Sequence, residues 1–178
     1  MANSLYAKGR EAFLEGTIAA LTDTLKLSLL STAYTPNLST DQFYSIVSGG
    51  AIVAAGVALS GRSGLAGTLS ASNVVFPAVT GSTASYLALY KDTGSAATSP
   101  LIGLIDTATG LPITPNGGDI TVAWSNGQIF TLFASLAERA GDKAAASRWR
   151  RLIDAVRGAW RPSEGGIWMP EPQVSYGR

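Results

Sequence analysis

Polar and apolar positions alternate most cleanly between Asp23 and Ser31, where Leu25, Leu27 and Leu29 are interleaved with Lys26 and Ser28. A period of two places alternate side chains on opposite faces of an extended chain, so this segment predicts a half-buried strand. Three further apolar runs follow between Thr83 and Trp124: Tyr86-Leu87-Ala88-Leu89-Tyr90, Leu101-Ile102-Gly103-Leu104-Ile105 and Ile120-Thr121-Val122-Ala123-Trp124. Lys91-Asp92-Thr93-Gly94 and Asp106-Thr107-Ala108-Thr109-Gly110 separate the first two gaps, and Pro112, Pro115 and Asn116-Gly117-Gly118 close the last. Asp, Asn, Gly and Pro favour tight turns, so the pattern predicts three consecutive antiparallel strands at the centre of a sheet.

The flanking segments fill in the same picture. Ser4 is placed as the N-cap of a helix from Leu5 to Leu14 that stops at Gly16, with Tyr6, Arg10, Phe13 and Leu14 along the side facing the sheet. Tyr34 to Thr40 is a loop around Pro36-Asn37, and Asp41 to Val47 is one helical turn capped by Asp41. Gly50 to Leu59 reads as a buried strand with a bulge at Gly56. Ser60 to Ala66 is a flexible Gly/Ser loop, and Gly67 to Phe76 is a strand pair or one bent strand ended by Pro77. Asn126-Gly127 signals a turn, and Gln128 to Phe133 a last strand. The expected fold is all-β: an antiparallel β-sandwich or jelly-roll-like domain over residues 1–133 with an N-terminal helix.

Composition shifts after Phe133. Eight of the thirteen basic residues and five of the twelve acidic ones lie beyond it. From Lys143 to Trp160 the apolar residues Trp149, Leu152, Ile153, Val156 and Trp160 recur three and four apart, which predicts a helix with one aromatic stripe and a basic side. Residues 161–178 carry Pro162, Pro170, Pro172 and Gly165-Gly166, which rule out a helix, together with Trp168, Met169, Val174 and Tyr176. Residues 134–178 are therefore expected to form a helical extension and an extended aromatic arm. Trp149, Leu152, Ile153, Val156, Trp160, Trp168, Met169 and Tyr176 are the expected subunit-interface anchors, because large apolar groups on a chain without a core of its own suit docking on a neighbour.

Charge and chemistry narrow the function. Charged residues are 14% of the chain, below the ~25% of ordinary soluble domains, and such a surface suits coverage by partners. Net charge is +1, which gives the whole chain no strong pull on nucleic acid or anionic membrane. With no cysteine and no histidine, disulfides, thiolate chemistry and Ser-His or Cys-His nucleophile pairs cannot be built. Asp23, Asp92, Asp106 and Asp119 sit at turn positions and suit backbone capping rather than acid–base work. No loop alternates Asp and Asn as a calcium site would, and the Gly-rich segments at 48–50 and 60–64 lack phosphate-loop spacing. Arg148-Trp149-Arg150-Arg151 could meet phosphate, but Asp154 pairs with it locally, so nucleic-acid contact is not expected. Tyr86, Tyr90 and Trp124 could stack on a glycan, or belong to the core. No signal peptide or membrane span is visible. The expectation is a non-enzymatic protein with no cofactor and no metal.

The pieces SLYAKGREAFLEG, DTLKLSLLSTAYTPNLST, YKDTGSAATSPLIGLIDTATGLPITPNGGDITVAWSNG and QIFTL resemble a family of small structural proteins of tailed bacteriophages. The likeness covers about residues 4–133. It implies a virion component made in the bacterial host cytoplasm: a head decoration or minor capsid protein at subunit junctions, or alternatively a neck, tail or fibre component that binds a receptor or glycan. Partners would be other virion proteins and further copies of the chain. Two departures stand out. Thr17 to Thr22 replaces the family's acidic-tryptophan segment, and the part after Phe133 is an addition.

Overall fold

The computed structural model describes residues 3–47, 49–65 and 67–131, and two short segments, 160–162 and 168–170. The chain divides into two compact units, Met1–Phe130 and Thr131–Arg178. In chain order the elements of the first unit are β1 (Ser4–Leu5), α1 (Ala7–Leu14), β2 (Leu25–Leu30), β3 (Ile52–Ala58), β4 (Ser63–Leu65), β5 (Thr68–Ser70), β6 (Val74–Phe76), β7 (Tyr86–Lys91), β8 (Leu101–Ile105), β9 (Ile120–Val122) and β10 (Gln128–Thr131). In the second unit β11 (Trp160–Pro162) and β12 (Trp168–Pro170) are described. Every strand pairing is antiparallel, and α1 is the one α-helix among the described residues, so the fold is all-β with a short helix.

The main sheet has five strands in the order β1-β8-β7-β2-β3. Its middle follows from the apolar runs. Leu27 lies opposite Leu89 and Leu29 opposite Leu87 on one face, while Ser28 meets Ala88 and Leu30 meets Tyr86 on the other. Both faces are covered: every residue of β2 is buried except Lys26. The half-buried strand expected from alternation is thus buried on both sides, because the second face is closed by tyrosines that lie far away in sequence.

One core joins Leu25, Leu27, Leu29, Leu87 and Leu89 of the main sheet to Leu69 of β5, Val74 and Phe76 of β6 and the partly buried Val122 of β9 and Phe130 of β10. At roughly 25 cal/mol per Å² of apolar surface, this leucine layer is the largest stabilising contribution in the unit. The small sheets that supply its other side are β10-β5-β4 and β6-β9.

Several expectations are corrected. Ser4 does not cap a helix: Ser4 and Leu5 pair with Leu104 and Gly103 as β1. The helix starts at Ala7 after Tyr6, which makes no side-chain cap. Gly16 does end it, at φ +71°. The face that α1 buries is Gly9 and Ala12, not Arg10 and Leu14, and Leu14 stands 82% exposed. Gly9 is needed because a Cβ there would lie 2.6 Å from the Leu101 carbonyl oxygen. The helix therefore rests on the backbone of β8 just past the residues that β1 pairs. Asn3 extends that pairing with its side chain. Its Oδ1 accepts from the Asp106 and Thr107 N–H groups at 3.1 and 3.0 Å, and its Nδ2 donates to the Thr107 carbonyl at 2.9 Å.

The third central run, β9, does not join β7 and β8. It pairs with β6, because β1 already occupies the far edge of β8 and the connecting chain turns back to bridge Ala84 with Ile113. The Gly/Ser segment after Ser60 is not a free loop. Ser63–Leu65 pairs with Thr68–Ser70, and the Arg62 guanidinium donates to the Ala20 carbonyl at 2.7 Å and to the Asp23 carbonyl. β3 is an edge strand and only half-buried. Its register against β2 gains a residue between Val57 and Ala54, a bulge at Ala55-Gly56 as the glycine suggested. Gly56 is required there: the Tyr90 hydroxyl occupies the space of a Cβ. The turn after Asp41 is a short 3₁₀ segment, Tyr44–Ile46, preceded by Phe43 with no side-chain cap.

In the second unit, Trp160 pairs with Pro170, Arg161 with Met169 and Pro162 with Trp168. Trp160, placed at the end of a helix by its spacing, is in a strand, and the arm has a regular hairpin.

Candidate functional site

Two features stand out in the first unit: a buried tyrosine layer and an open apolar groove. The tyrosine layer lies on the face of the main sheet away from the leucines. Tyr6, Tyr34, Tyr44, Tyr90, Ala88, Leu101 and Leu104 cluster there with the partly buried Tyr86. The Tyr6 hydroxyl donates to Tyr34 Oη at 2.9 Å, Tyr34 donates to Asp41 Oδ2 at 2.6 Å, and the same carboxylate oxygen accepts the Asn37 N–H at 2.8 Å. Asp41 is only 4% exposed, so its charge is stabilised by these donors rather than by water. It folds the Tyr34–Asp41 loop onto the sheet. Tyr44 donates to Ser28 Oγ at 2.9 Å and stacks on Tyr90 with ring centroids 4.0 Å apart.

Burial pushes the Tyr6 phenol up to about 12; the bond to Tyr34 works against this and the Asp41 charge adds to it. Tyr34 is raised further by burial, by its bonds to Asp41 and Tyr6 and by the charge of Asp41. Burial also raises Tyr44 and Tyr90. All four stay protonated donors near neutral pH. No described buried side-chain polar atom is left without a partner, so the layer is a closed structural network.

The carboxylates at turns are likewise tied to local groups. Asp23 accepts the Ala19 N–H at 2.7 Å and pairs with Lys91 at 2.9 Å. Burial alone would raise its carboxyl, but the Ala19 bond and the Lys91 and Arg62 charges hold it below the usual value. Asp92 pairs with Lys26 at 2.7 Å and caps Gly94 at 3.2 Å; the Lys26 bond, then the Gly94 bond, lowers it. Asp119 accepts the Ala78 N–H at 2.9 Å. Asp106 accepts the Thr107 hydroxyl at 3.1 Å. Among the described residues no three acidic groups gather as a metal site would need.

The groove, about 280 Å³, runs beside β3 and is lined by Val53, Ala55, Val57, Phe76, Ala78 and Thr80, among others. No lining residue is charged. One wall is held stiffly: Ala78 has φ +46°, a left-handed conformation that costs a non-glycine residue about 1 kcal/mol or more. The Asp119 bond fixes it, together with the Val79 N–H to the Gly118 carbonyl and the Gly117 N–H to the Val79 carbonyl. The groove offers shape and apolar contact, with the Thr80 hydroxyl as its polar group. Around the unit, Leu14, Leu21, Ile46, Leu65 and Val75 are exposed.

Of the expected anchors, Trp160, Trp168 and Met169 are brought together in the β11–β12 hairpin. Trp149, Leu152, Ile153, Val156 and Tyr176 lie outside the described residues, as does the predicted helix on which the first four fall. Of the aromatics considered for glycan stacking, Tyr90 is buried under Tyr44. Trp124 is half-buried, its Nε1 donating to the Ser72 carbonyl at 3.1 Å. Sequence reasoning missed the Tyr6–Tyr34–Asp41 chain and the groove. The signal for the former was present: Tyr6, Tyr34 and Tyr44 all fall outside the apolar strand runs. No protein-family model matches the chain, and no curated protein matches it. No described helix is long and apolar enough to cross a membrane.

Proposed function

We propose that this chain is a non-enzymatic structural component of a tailed-bacteriophage virion, placed on the head as a decoration or minor capsid protein. The resemblance of residues 4–133 supplies the virion setting. The structural observation that carries the mechanism is the uncharged groove beside an edge strand, on a chain with only 14% charged residues. Such a surface gains by burial against neighbours, at roughly 25 cal/mol per Å² covered. The shared core between the main sheet and the small sheets supports a sandwich, the jelly-roll-like arrangement suited to a compact block in a shell. The rigid tyrosine and leucine layers would let that block keep its shape under load.

The test is direct. Particles purified from the producing cells should hold the chain in a fixed copy number, at symmetry-related junctions in a particle image. A position at the neck or on a fibre would move the assignment to that site. Particles without the chain would overturn the reading.

A further inference from the structure

We propose that the β11–β12 hairpin of one copy docks in the β3 groove of a second copy, so that the chain associates head to tail through its own C-terminal unit. This rests on the structural reading above and names the partner of the groove: another copy of the same chain.

Each half lacks what the other supplies. The hairpin is a two-stranded ribbon with five residues between its strands, and such a ribbon is marginal alone in water without a surface to cover it. Its strands carry Trp160, Trp168 and Met169, and the second unit holds three of the four tryptophans of the chain. The groove, at about 280 Å³, falls just short of the ~300–1,000 Å³ of small-molecule clefts. That size suits one or two large side chains. Its lining of alanine, valine, proline and phenylalanine has no charge to select a polar ligand.

Backbone pairing is a poor route for this contact. Pro162 and Pro170 remove donors from β11 and β12, and the bulge at Ala55-Gly56 breaks the ladder of β3; both devices blunt strand edges against strand addition. The contact must then run through side chains entering the groove. Charge decides the orientation. The first unit holds five basic and seven acidic side chains, a formal −2, and the second holds eight and five, a formal +3. First unit against second is attractive, while like units repel, and opposite fields of this kind favour encounter at low salt.

Sedimentation of the full chain at rising concentration tests this. Wild type should associate from the micromolar range, and less so in 0.5 M salt. Trp160→Ala/Trp168→Ala removes the anchors, and Ala55→Phe fills the groove; each should sediment as a monomer. Thr80→Tyr, an exposed site at the same groove, replaces Ala55→Phe if that variant melts early. Mixing the anchorless variant with the filled-groove variant leaves one intact groove and one intact hairpin, and should restore a one-to-one complex. A wild-type monomer at all concentrations, variants that still associate, or a mixture that stays monomeric would each overturn the proposal. Absence of the chain from particles would sink the structural reading and leave this solution contact standing.

Discussion

On one face of β2, Leu25, Leu27 and Leu29 meet an apolar layer drawn from the small sheets. On the other, Ser28 and Leu30 meet a layer that holds five of the six tyrosines. The leucine layer is held by volume and is indifferent to direction. The tyrosine layer is held by directed bonds, and a lost hydroxyl strands its partner in a site without water. The same strand thus separates two kinds of cohesion, and substitutions should tell them apart.

The largest contrast is expected from Leu27, which is 0% exposed. Leu27→Ala should cost about 2–5 kcal/mol in denaturant unfolding, while Leu27→Met, which keeps the volume, should cost less than about 1.5 kcal/mol. The tyrosine face should behave the opposite way. Tyr34→Phe keeps the ring but leaves Asp41 with the Asn37 N–H alone and Tyr6 without its acceptor, at an expected cost of about 1–3 kcal/mol. A Tyr34→Phe/Asp41→Asn cycle should then show a coupling of about 0.5–3 kcal/mol. A near-neutral Tyr34→Phe would break the contrast.

Alkaline titration sharpens it. The folded Tyr6 phenol titrates near 12, above the ordinary value of about 10. A raised folded value means that the folded state holds its proton longer than the unfolded chain does. The contribution is therefore complete below about pH 10 and is lost as pH climbs towards 12, by up to about 1.4 kcal/mol per pH unit for this group. Chemical unfolding at pH 9, 10, 11 and 12 should show that decline in the Leu27→Met protein, since the tyrosine face is untouched there.

The smallest effect belongs to the rim. Asp92 is lowered chiefly by its bond to Lys26, so its contribution is present above the unfolded carboxyl value of about 4 and fades as pH falls through the lower folded value. The pair is part-exposed, 31% and 25%. Lys26→Met should therefore cost only about 0.2–1 kcal/mol at pH 7, and the difference should shrink in 1 M salt.

The leucine face was legible in the sequence, because alternation in one strand and short apolar runs in two others each report their own periodicity. Gly16, the bulge at Gly56 and the turn at Asn126-Gly127 were legible for the same local reason. Pairing was not. Nothing near Ile120 says that its partner is Val74–Phe76 rather than Leu101–Ile105, and nothing near Ser4 says that a two-residue strand outcompetes a helix cap. Those choices depend on which edges are free once the chain is compact. The tyrosine latch was hidden because its members come from four separate segments. The expected anchors were legible as composition, and three of them fall in one hairpin.

Asn3 carries a requirement of its own. Its carboxamide must accept two N–H groups and donate to a carbonyl at once, so it imitates a peptide unit and supplies a rung that the backbone of β1 does not reach. Aspartate has nearly the same outline but offers no donor, and would set a lone pair against the Thr107 oxygen. Spontaneous loss of that amide nitrogen, the commonest ageing reaction of asparagine, would therefore unzip this corner of the molecule without altering its shape on paper.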